Sequence, residues 1–404
     1  MRVALLSVSA GIGGSETSLL ELVRGLAATR ACEPIVVLPK AGPLDGRVRA
    51  VGGATRILPM PDALLSFGEW SMRSVTDVGR RSATLARVAA ATRTHRRALT
   101  GLLREIDPHV VHTNGLKMHV LAARAAAPGV PIVWHLHEYL KTRRLSRMLL
   151  RHHVRRASAV VANSHSVAAD LAETLGHGAP ITTIYNAVDL EEFAPDGPLA
   201  DLDRLAGLPP APPGVCRVGL LATFARWKGH DVFLRAVGEA RAPLRAYVIG
   251  GPVYDTAGSQ HTIEDLRARA AALGLADRVG FTGFADRPSH ALRALDVVVH
   301  ASTDPEPFGL VIAEGMACGK AVVVSRAGGA AELVADGEDA LATPPGDAAA
   351  LAAALERCAS DPALRTRLGE AARRTAVRRF DPATFVGAFL ALYTRLASPA
   401  VTPA

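Results

Sequence analysis

Short runs of β-branched residues alternate with longer amphipathic segments over nearly the whole chain, and this alternation constrains the fold more than any other feature. Such an order is typical of parallel sheets whose helical crossovers cover both faces. We predict strands at 3–8, 35–38, 110–113, 132–135, 159–162, 181–185, 218–222, 246–249, 279–282, 297–300, 322–325 and 340–343. The chain is therefore assigned to the α/β class.

Proline marks a boundary between the two halves of the pattern. The stretch 191–213 holds six prolines and little periodic apolar signal, which indicates a linker. The predicted order is an N-terminal Rossmann-like domain at 1–190, the linker, a C-terminal Rossmann-like domain at 214–380 and a closing helix. That helix, at 381–404, is expected to pack on the N-terminal domain. Two doubly wound domains predict a ligand cleft between the carboxyl ends of their sheets.

The composition excludes several classes of protein. Hydrophobic residues make up 49% of the chain and charged residues 21%, so the chain is not a disordered one. No apolar run approaches the ~18 residues of a membrane span, and the run at 3–8 is too short for a signal sequence. Four widely spaced cysteines indicate neither a disulfide framework nor a zinc site. We expect a cytoplasmic protein.

The net charge of +8 is unevenly distributed. The stretch 141–156 carries seven basic residues and no carboxylate, and 80–104 is nearly as basic. Two interpretations stay open: a solvated helix face, or a surface for anionic lipid or an acidic acceptor. A peripheral contact with the inner face of the membrane would use Arg143, Arg144, Arg147, Arg151, Arg155 and Arg156. Nucleic acid is disfavoured because only 4% of residues are aromatic.

The most specific motif is the segment 304–314, DPEPFGLVIAE, which follows a predicted buried strand. Its prolines and glycine keep Glu306 in a loop, so a helix starts around 308–310 and Glu314 falls in its early turns. At 1.5 Å per helical residue the two carboxylates lie up to about 12 Å apart. The helix amides between them favour phosphate, and carboxylates accept hydrogen bonds from sugar hydroxyls. A nucleotide sugar has that order of groups.

This segment resembles the E-x7-E signature of retaining glycosyltransferases of the GT-B fold, specifically glycosyltransferase family four. The segments GMACGK at 315–320, RAGGAAE at 326–332 and PGD at 345–347 follow in the family's order, and the resemblance covers the whole chain. It implies that Glu306 lies at the donor sugar and Glu314 at the ribose hydroxyls. Backbone contacts to the donor are expected from Phe308, Gly309 and Leu310.

A second segment, TFARWKG at 223–229, lies between a predicted strand and a helix. In the family an arginine and a lysine clamp the diphosphate here, because cations must absorb the charge of the leaving group. Lys228 and Gly229 match, but Thr223 stands where the family has arginine. Arg226 is either the substitute for that arginine or a solvent-facing residue.

Further family positions lie in loops that follow strands. Gly13 and Gly14 belong to a glycine-rich loop at 9–17, which in the family approaches the donor phosphates. The glycine that a dinucleotide fingerprint needs is missing at position 16, so a nicotinamide cofactor is disfavoured. The backbone of Gly283 and Phe284 is expected to meet the nucleoside base.

The segment WHLHEY at 134–139 provides a third catalytic candidate besides Glu306 and Lys228. The resemblance places His137 at the donor sugar, while a structural role for this histidine is the alternative. Asn114 and Glu138 are expected on the acceptor side.

The expected function is metal-independent transfer of a sugar from a nucleotide-diphosphate donor, most commonly a UDP-sugar, to an acceptor hydroxyl. The only Asp-x-Asp triplet, at 201–203, lies in the predicted linker, so neither an essential metal nor a cofactor is expected. Two alternatives stay open. One is a sucrose- or trehalose-type synthase of the same superfamily, and the other is a non-catalytic, membrane-associated scaffold that keeps the fold.

Overall fold

The computed structural model describes residues 1–65, 78–176, 178–253 and 258–398. The chain divides into two compact units, each built on one parallel sheet. The first unit comprises Met1–Ala187 with Pro382–Ala404, and the second comprises Val188–Asp381. The α/β class and the two doubly wound sheets agree with the sequence prediction.

The first unit contains a seven-stranded sheet in the order β3-β2-β1-β4-β5-β6-β7. Its strands are β1 Arg2–Ser7, β2 Glu33–Leu38, β3 Ala54–Ile57, β4 Val110–Asn114, β5 Ile132–Leu136, β6 Ala159–Ala162 and β7 Ile181–Thr183. Its helices before the second unit are α1 Gly14–Thr29, α2 Pro43–Ala50, α3 Asp62–Leu65, α4 Val78–Ile106, α5 Leu116–Ala125, α6 Arg144–His153 and α7 His165–Leu175.

The second unit contains a six-stranded sheet in the order β10-β9-β8-β11-β12-β13. Its strands are β8 Cys216–Leu221, β9 Leu244–Ile249, β10 Val279–Gly283, β11 Val297–His300, β12 Ala321–Ser325 and β13 Leu341–Thr343. Its helices are α8 Leu202–Ala206, α9 His230–Glu239, α10 Ile263–Ala272, α11 Pro288–Arg293, α12 Leu310–Ala317, α13 Ala330–Leu333, α14 Ala348–Ser360 and α15 Pro362–Arg379.

The central strands are mostly apolar because helices cover both faces of each sheet. All four residues of β11 and all five of β12 are buried. By contrast, the sequence prediction missed β3, an edge strand of four residues that ends in the exposed Arg56 and Ile57. In the described part of the chain, no helix combines the length and the apolar character that a bilayer span requires.

The last helix, α16 (Pro382–Ala397), packs on α1 within the first unit. A Cβ on Gly25 of α1 would lie 2.2 Å from a methyl carbon of Val386, so only glycine allows this close approach. Tyr393 is fully buried, and its hydroxyl lies 2.6 Å from Nδ1 of His112 in β4. These contacts make α16 part of the core of the first unit.

The proline-rich stretch 191–213 is not a free linker, because it is packed into the second unit through α8. Asp203 of α8 is buried and accepts hydrogen bonds from Arg217 at 2.7 Å, Arg245 at 3.0 Å and Tyr247 at 2.6 Å. Its neighbour in the Asp-x-Asp triplet, Asp201, caps α8 by accepting from the amide of Arg204. Both carboxylates of the triplet therefore have structural partners.

Candidate functional site

The site in the second unit is centred on Glu306, in the loop between β11 and α12. Its side chain is buried, and Oε2 lies 2.7 Å from Nζ of Lys228, 3.0 Å from Oγ of Ser302 and 3.3 Å from Nε2 of His300. The backbone carbonyl of Glu306 accepts from the amide of Gly329 at 2.7 Å. Several donors therefore fix both the loop and the carboxylate.

The electrostatics keep the Glu306 carboxylate ionised. Burial alone raises the pKa of Glu306, but the charge of Lys228 and the hydrogen bond with His300 outweigh it. The resulting pKa lies well below the ordinary range of a glutamate, so the group is an anion across physiological pH.

Lys228 ends a 3₁₀ turn, Arg226–Lys228, that follows β8. The next residue, Gly229, has φ 76°, and a Cβ at this position would lie 1.8 Å from the carbonyl oxygen of Ala301. Glycine is thus required where the β8 loop touches the β11 loop. Lys228 Nζ also lies 4.0 Å from the centroid of the Trp227 ring. These contacts aim the ammonium group at Glu306.

Helix α12 begins at Leu310, within the predicted interval, after Gly309 with φ 96°. No described side chain caps its N-terminus. The amide of Ile312 donates to the carbonyl of Gly309 at 2.9 Å, so an anion would meet the amides of Leu310 and Val311. Glu314 lies in the middle of this helix, and none of the described residues gives its carboxylate a hydrogen-bond or ion-pair partner. Burial raises the pKa of Glu314 to about 7.

The other predicted donor contacts of this unit differ in their surroundings. Phe308 is 2% exposed and packs edge-on against Phe380, so its backbone is the part that a ligand can meet. Phe284 is 62% exposed and follows Gly283, which has φ 71°. A Cβ on Gly251 would lie 2.6 Å from the Phe284 ring, so that ring lies directly over the glycine backbone.

Arg226 lies outside the Lys228–Glu306 network. It is exposed, and its Nε donates to the carbonyl of Gly258 at 2.9 Å. Thr223, which replaces the family's arginine, has a buried hydroxyl that has no partner among the described residues. The predicted clamp role of Arg226 stays a prediction.

In the first unit, Gly13 is the N-cap of α1 and Gly14 its first residue, and both are exposed. Asn114, at the end of β4, is buried and donates from Nδ2 to the carbonyl of Ser15 at 3.2 Å. It therefore ties the strand end to the glycine-rich loop. The predicted contacts of Gly13, Gly14 and Asn114 with substrate stay predictions.

His137 follows β5, and its ring lies 4.0 Å from the ring of His135, centroid to centroid. Burial lowers the pKa of His137 to about 4, so the imidazole is neutral at pH 7. Its Nε2 is buried and has no partner in the part of the chain that the structure describes. Glu138 forms a 2.7 Å ion pair with Arg143, which belongs to the predicted basic surface. The predicted roles of His137 and Glu138 stay predictions.

Sequence reasoning missed His300 and Ser302, which share the Glu306 carboxylate with Lys228. The available signal was the change from three valines to histidine at the end of β11. Polar residues at the carboxyl ends of parallel strands mark ligand sites in such sheets. Around this site and elsewhere in the described ranges, no group of three or more His, Cys, Asp or Glu is placed to hold a metal ion.

Comparison with known proteins identifies the class. The family model described as "Glycosyl transferases group 1" matches residues 216–375, and "Glycosyltransferase Family 4" matches residues 12–192. Crystal structures of Anabaena HepE in complex with UDP and with UDP-glucose share the fold, each with a TM-score of 0.77. Their sequences are 26% and 25% identical to this chain, and each alignment covers 98% of this chain and 100% of HepE. The fold is that of the GT-B glycosyltransferases.

Two curated relatives show the family to which the chain belongs. A GDP-mannose-dependent alpha-(1-6)-phosphatidylinositol monomannoside mannosyltransferase of Mycolicibacterium smegmatis is 31% identical over 272 residues, 64% of this chain and 68% of that protein. A D-inositol 3-phosphate glycosyltransferase of Stackebrandtia nassauensis is 36% identical over 238 residues, 56% of this chain. The chain spans 51% of the length of the latter. The chain belongs to the GT-B glycosyltransferase family that these models and relatives define.

Proposed function

We propose that the chain is a retaining glycosyltransferase that moves a sugar from a UDP-sugar to an acceptor hydroxyl without a metal or a cofactor. The observation that carries this proposal is the buried Lys228–Glu306 pair beside the uncapped N-terminus of α12. Glu314, whose carboxylate has no partner in the described part of the chain, lies farther along the same helix and supports the proposal.

Each of these groups would bind one part of the nucleotide-sugar donor. The ribose hydroxyls would donate hydrogen bonds to the Glu314 carboxylate. The diphosphate would lie against the α12 amides and the Lys228 ammonium, because a helix N-terminus and a cation both stabilise phosphate charge. Glu306 would accept from the hydroxyls of the transferred sugar, since its position and ionisation are already fixed.

The configuration of the anomeric carbon would be retained because the acceptor oxygen attacks the same face from which the diphosphate leaves. The bond between the anomeric carbon and the phosphate oxygen breaks, and the acceptor oxygen bonds to the same face. The acceptor proton passes to the departing diphosphate. Lys228 and the helix amides would stabilise the charge that grows on this leaving group, where preorganised donors contribute most to rate.

The HepE complexes with UDP and UDP-glucose support a uridine donor, whereas the mycobacterial relative is a GDP-mannose-dependent mannosyltransferase. Calorimetric titration with UDP and GDP separates the two. We expect UDP to bind more tightly. Tighter binding of GDP would reject the uridine donor but leave the transferase proposal standing.

Activity is tested by release of UDP from UDP-sugars with and without acceptor hydroxyl compounds, with the product anomer read by NMR. We expect Glu306→Gln to lower the rate of release at least about 100-fold, by analogy with the loss of a single transition-state contact. Asp304→Asn is the matched control, because Asp304 is an exposed carboxylate of the same loop. Equal rates for Glu306→Gln and the parent would refute the role of Glu306. An inverted product would refute retention, and no release from any donor would favour the scaffold alternative.

The basic segment supports a peripheral contact with an anionic membrane. Arg144 and Arg151 of α6 are exposed, as are Arg155 and Arg156 just beyond it, and Met148 is 62% exposed among them. Helices that lie at a lipid surface combine a basic polar face with apolar residues that enter the membrane. Replacing Arg151 and Arg155 by glutamine should weaken binding to anionic vesicles, measured by co-sedimentation, and unchanged binding would contradict this contact.

A further inference from the structure

Four arginines line a surface cavity of about 490 Å³ in the first unit. Three of them, Arg96, Arg97 and Arg104, belong to α4, and the fourth, Arg124, belongs to α5. Thr100 and Gly101 of α4 complete the lining. We call this feature the arginine cavity, and no acidic residue is part of its lining.

The spacing along α4 places these residues on one face. Arg96, Thr100 and Arg104 are four positions apart in succession, so their side chains project from neighbouring turns. Between 84 and 106 the helix carries five arginines and a single carboxylate, Glu105. The described lining of the cavity contains no acidic residue that would neutralise Arg96, Arg97 and Arg104.

Arg124 is held in place from the side of α6. Its Nε donates to Nε2 of His153 at 2.7 Å, and the other ring nitrogen of His153 lies 2.8 Å from the carbonyl oxygen of Leu149. Burial lowers the pKa of His153, which favours the neutral ring that can accept from arginine. The bond uses only Nε, so the terminal amino groups of Arg124 remain available to a ligand.

Gly101 gives the cavity its open floor. A Cβ at this position would meet no atom within 4 Å, so packing does not demand glycine here. Glycine in the interior of a helix destabilises it, because its backbone loses the most freedom on folding. Thr100 next to it ties α4 to α5, since its hydroxyl donates to the carbonyl of Ala125 at 3.1 Å. The contact between α4 and α5 is therefore fixed, while the space beside Gly101 is open.

We propose that the arginine cavity binds a phosphate group, carried either by an anionic lipid headgroup or by a soluble phosphorylated compound. Guanidinium groups present paired N–H donors that match phosphate oxygens, and they keep their charge at all physiological pH values. A volume of about 490 Å³ exceeds that of phosphate alone and accommodates the group to which it is attached. None of the residues that line the arginine cavity is among those assigned to the sugar donor.

Calorimetry at low ionic strength measures binding of sn-glycerol 3-phosphate to the full chain. It tests whether the cavity binds the phosphate group that both sources share. We expect saturable binding that the double variant Arg96→Gln/Arg104→Gln weakens about tenfold or more, because two charge-assisted hydrogen-bonding groups are lost. The matched control is Arg87→Gln/Arg93→Gln, which removes the same charge from exposed positions of α4 outside the cavity lining. The control should keep the affinity within about twofold, as expected for screened surface charges.

Gly101→Leu provides a test that leaves the charge unchanged. Leucine fills the open floor and favours the helix, so this variant should fold, as circular dichroism and thermal melting can verify. We expect it to weaken phosphate binding as strongly as the double arginine variant. Unchanged binding by Gly101→Leu, or equal losses in the cavity and control double variants, would overturn the proposal and leave only general attraction to a basic surface. Absence of saturable binding to the parent chain would overturn it as well.

Vesicles distinguish the two sources of phosphate. Co-sedimentation is measured with vesicles of phosphatidylglycerol and phosphatidylcholine in equal parts, and with phosphatidylcholine alone. Loss of binding to the anionic vesicles in both cavity variants, but not in the control, identifies a lipid headgroup. Loss restricted to glycerol phosphate identifies a soluble compound. None of these measurements requires a sugar donor, so their failure is distinguishable from failure of the proposed transferase activity.

Discussion

The ion pair between Lys228 and Glu306 should behave as one energetic unit, and a double-mutant cycle can measure this. The exposed fractions of the two side chains are 19% and 10%, and the ions are 2.7 Å apart. Removing one partner of a buried pair leaves an uncompensated charge, which costs about 3–5 kcal/mol. Lys228→Met and Glu306→Gln should each approach the lower end of that range, because Lys228 keeps some contact with water.

The double variant removes both charges at once and should cost much less than the sum of the single variants. We expect a coupling energy of about 2 kcal/mol or more in urea denaturation at pH 7. The Arg143–Glu138 pair is the matched control, because its length is also 2.7 Å but its side chains are 48% and 30% exposed. Its coupling should stay below about 1 kcal/mol.

The pH dependence gives a second measurement on the same variants. The native pKa of Glu306 is lowered, so the stability from the pair is present above the unfolded value of about 4.3 and is lost as pH falls through the native pKa. The coupling at pH 7 should therefore persist at pH 5. Single-variant costs that add up to the double-variant cost within about 0.5 kcal/mol would refute the reasoning.

Two other predictions concern Glu314 and Gly229. Burial raises the pKa of Glu314 to about 7, so the folded chain binds a proton that the unfolded chain releases, and this contribution to stability falls as pH rises from about 4.3 to 7. Glu314→Gln should raise the melting temperature at pH 8 more than at pH 5, and it should weaken UDP binding. An equal rise in melting temperature at both pH values would contradict the raised pKa. Gly229→Ala should cost more than about 2 kcal/mol, because its Cβ would overlap the carbonyl of Ala301 at 1.8 Å. Gly387→Ala, where a Cβ meets nothing within 4 Å, should be neutral or stabilising in the same thermal melts.

The fold was largely predictable because burial on both faces of a parallel sheet imposes a visible pattern. Strands such as β11 and β12 are apolar up to their last residue, and the helices carry the longer period. The edge strand β3 lacked this pattern because its last two residues are exposed. The stretch 191–213 resembled a linker because proline suppresses periodicity, although Asp203 is buried with Arg217 and Arg245 as partners.

The candidate site was predictable only in parts. Glu306 and Lys228 were identified separately, each from its own local segment. Their 2.7 Å contact joins residues 78 positions apart, and no local pattern reports such a distance. The backbone contact of Phe308 with the donor stays a prediction, and the packing of its ring on Phe380, which is distant in sequence, could not be read from the motif.

The amino-acid sequence by itself determined the α/β alternation, the helix that starts at Leu310, and the loop in which Glu306 lies. Hydrophobic periodicity, proline and glycine act over a few residues, so these features can be read locally. Only the tertiary structure decided which groups share the Glu306 carboxylate, that Glu314 has no partner among the described residues, and that arginines of α4 and α5 line one cavity. The physical reason is that burial and electrostatic contacts depend on distances through space, which the packing of whole helices and strands sets.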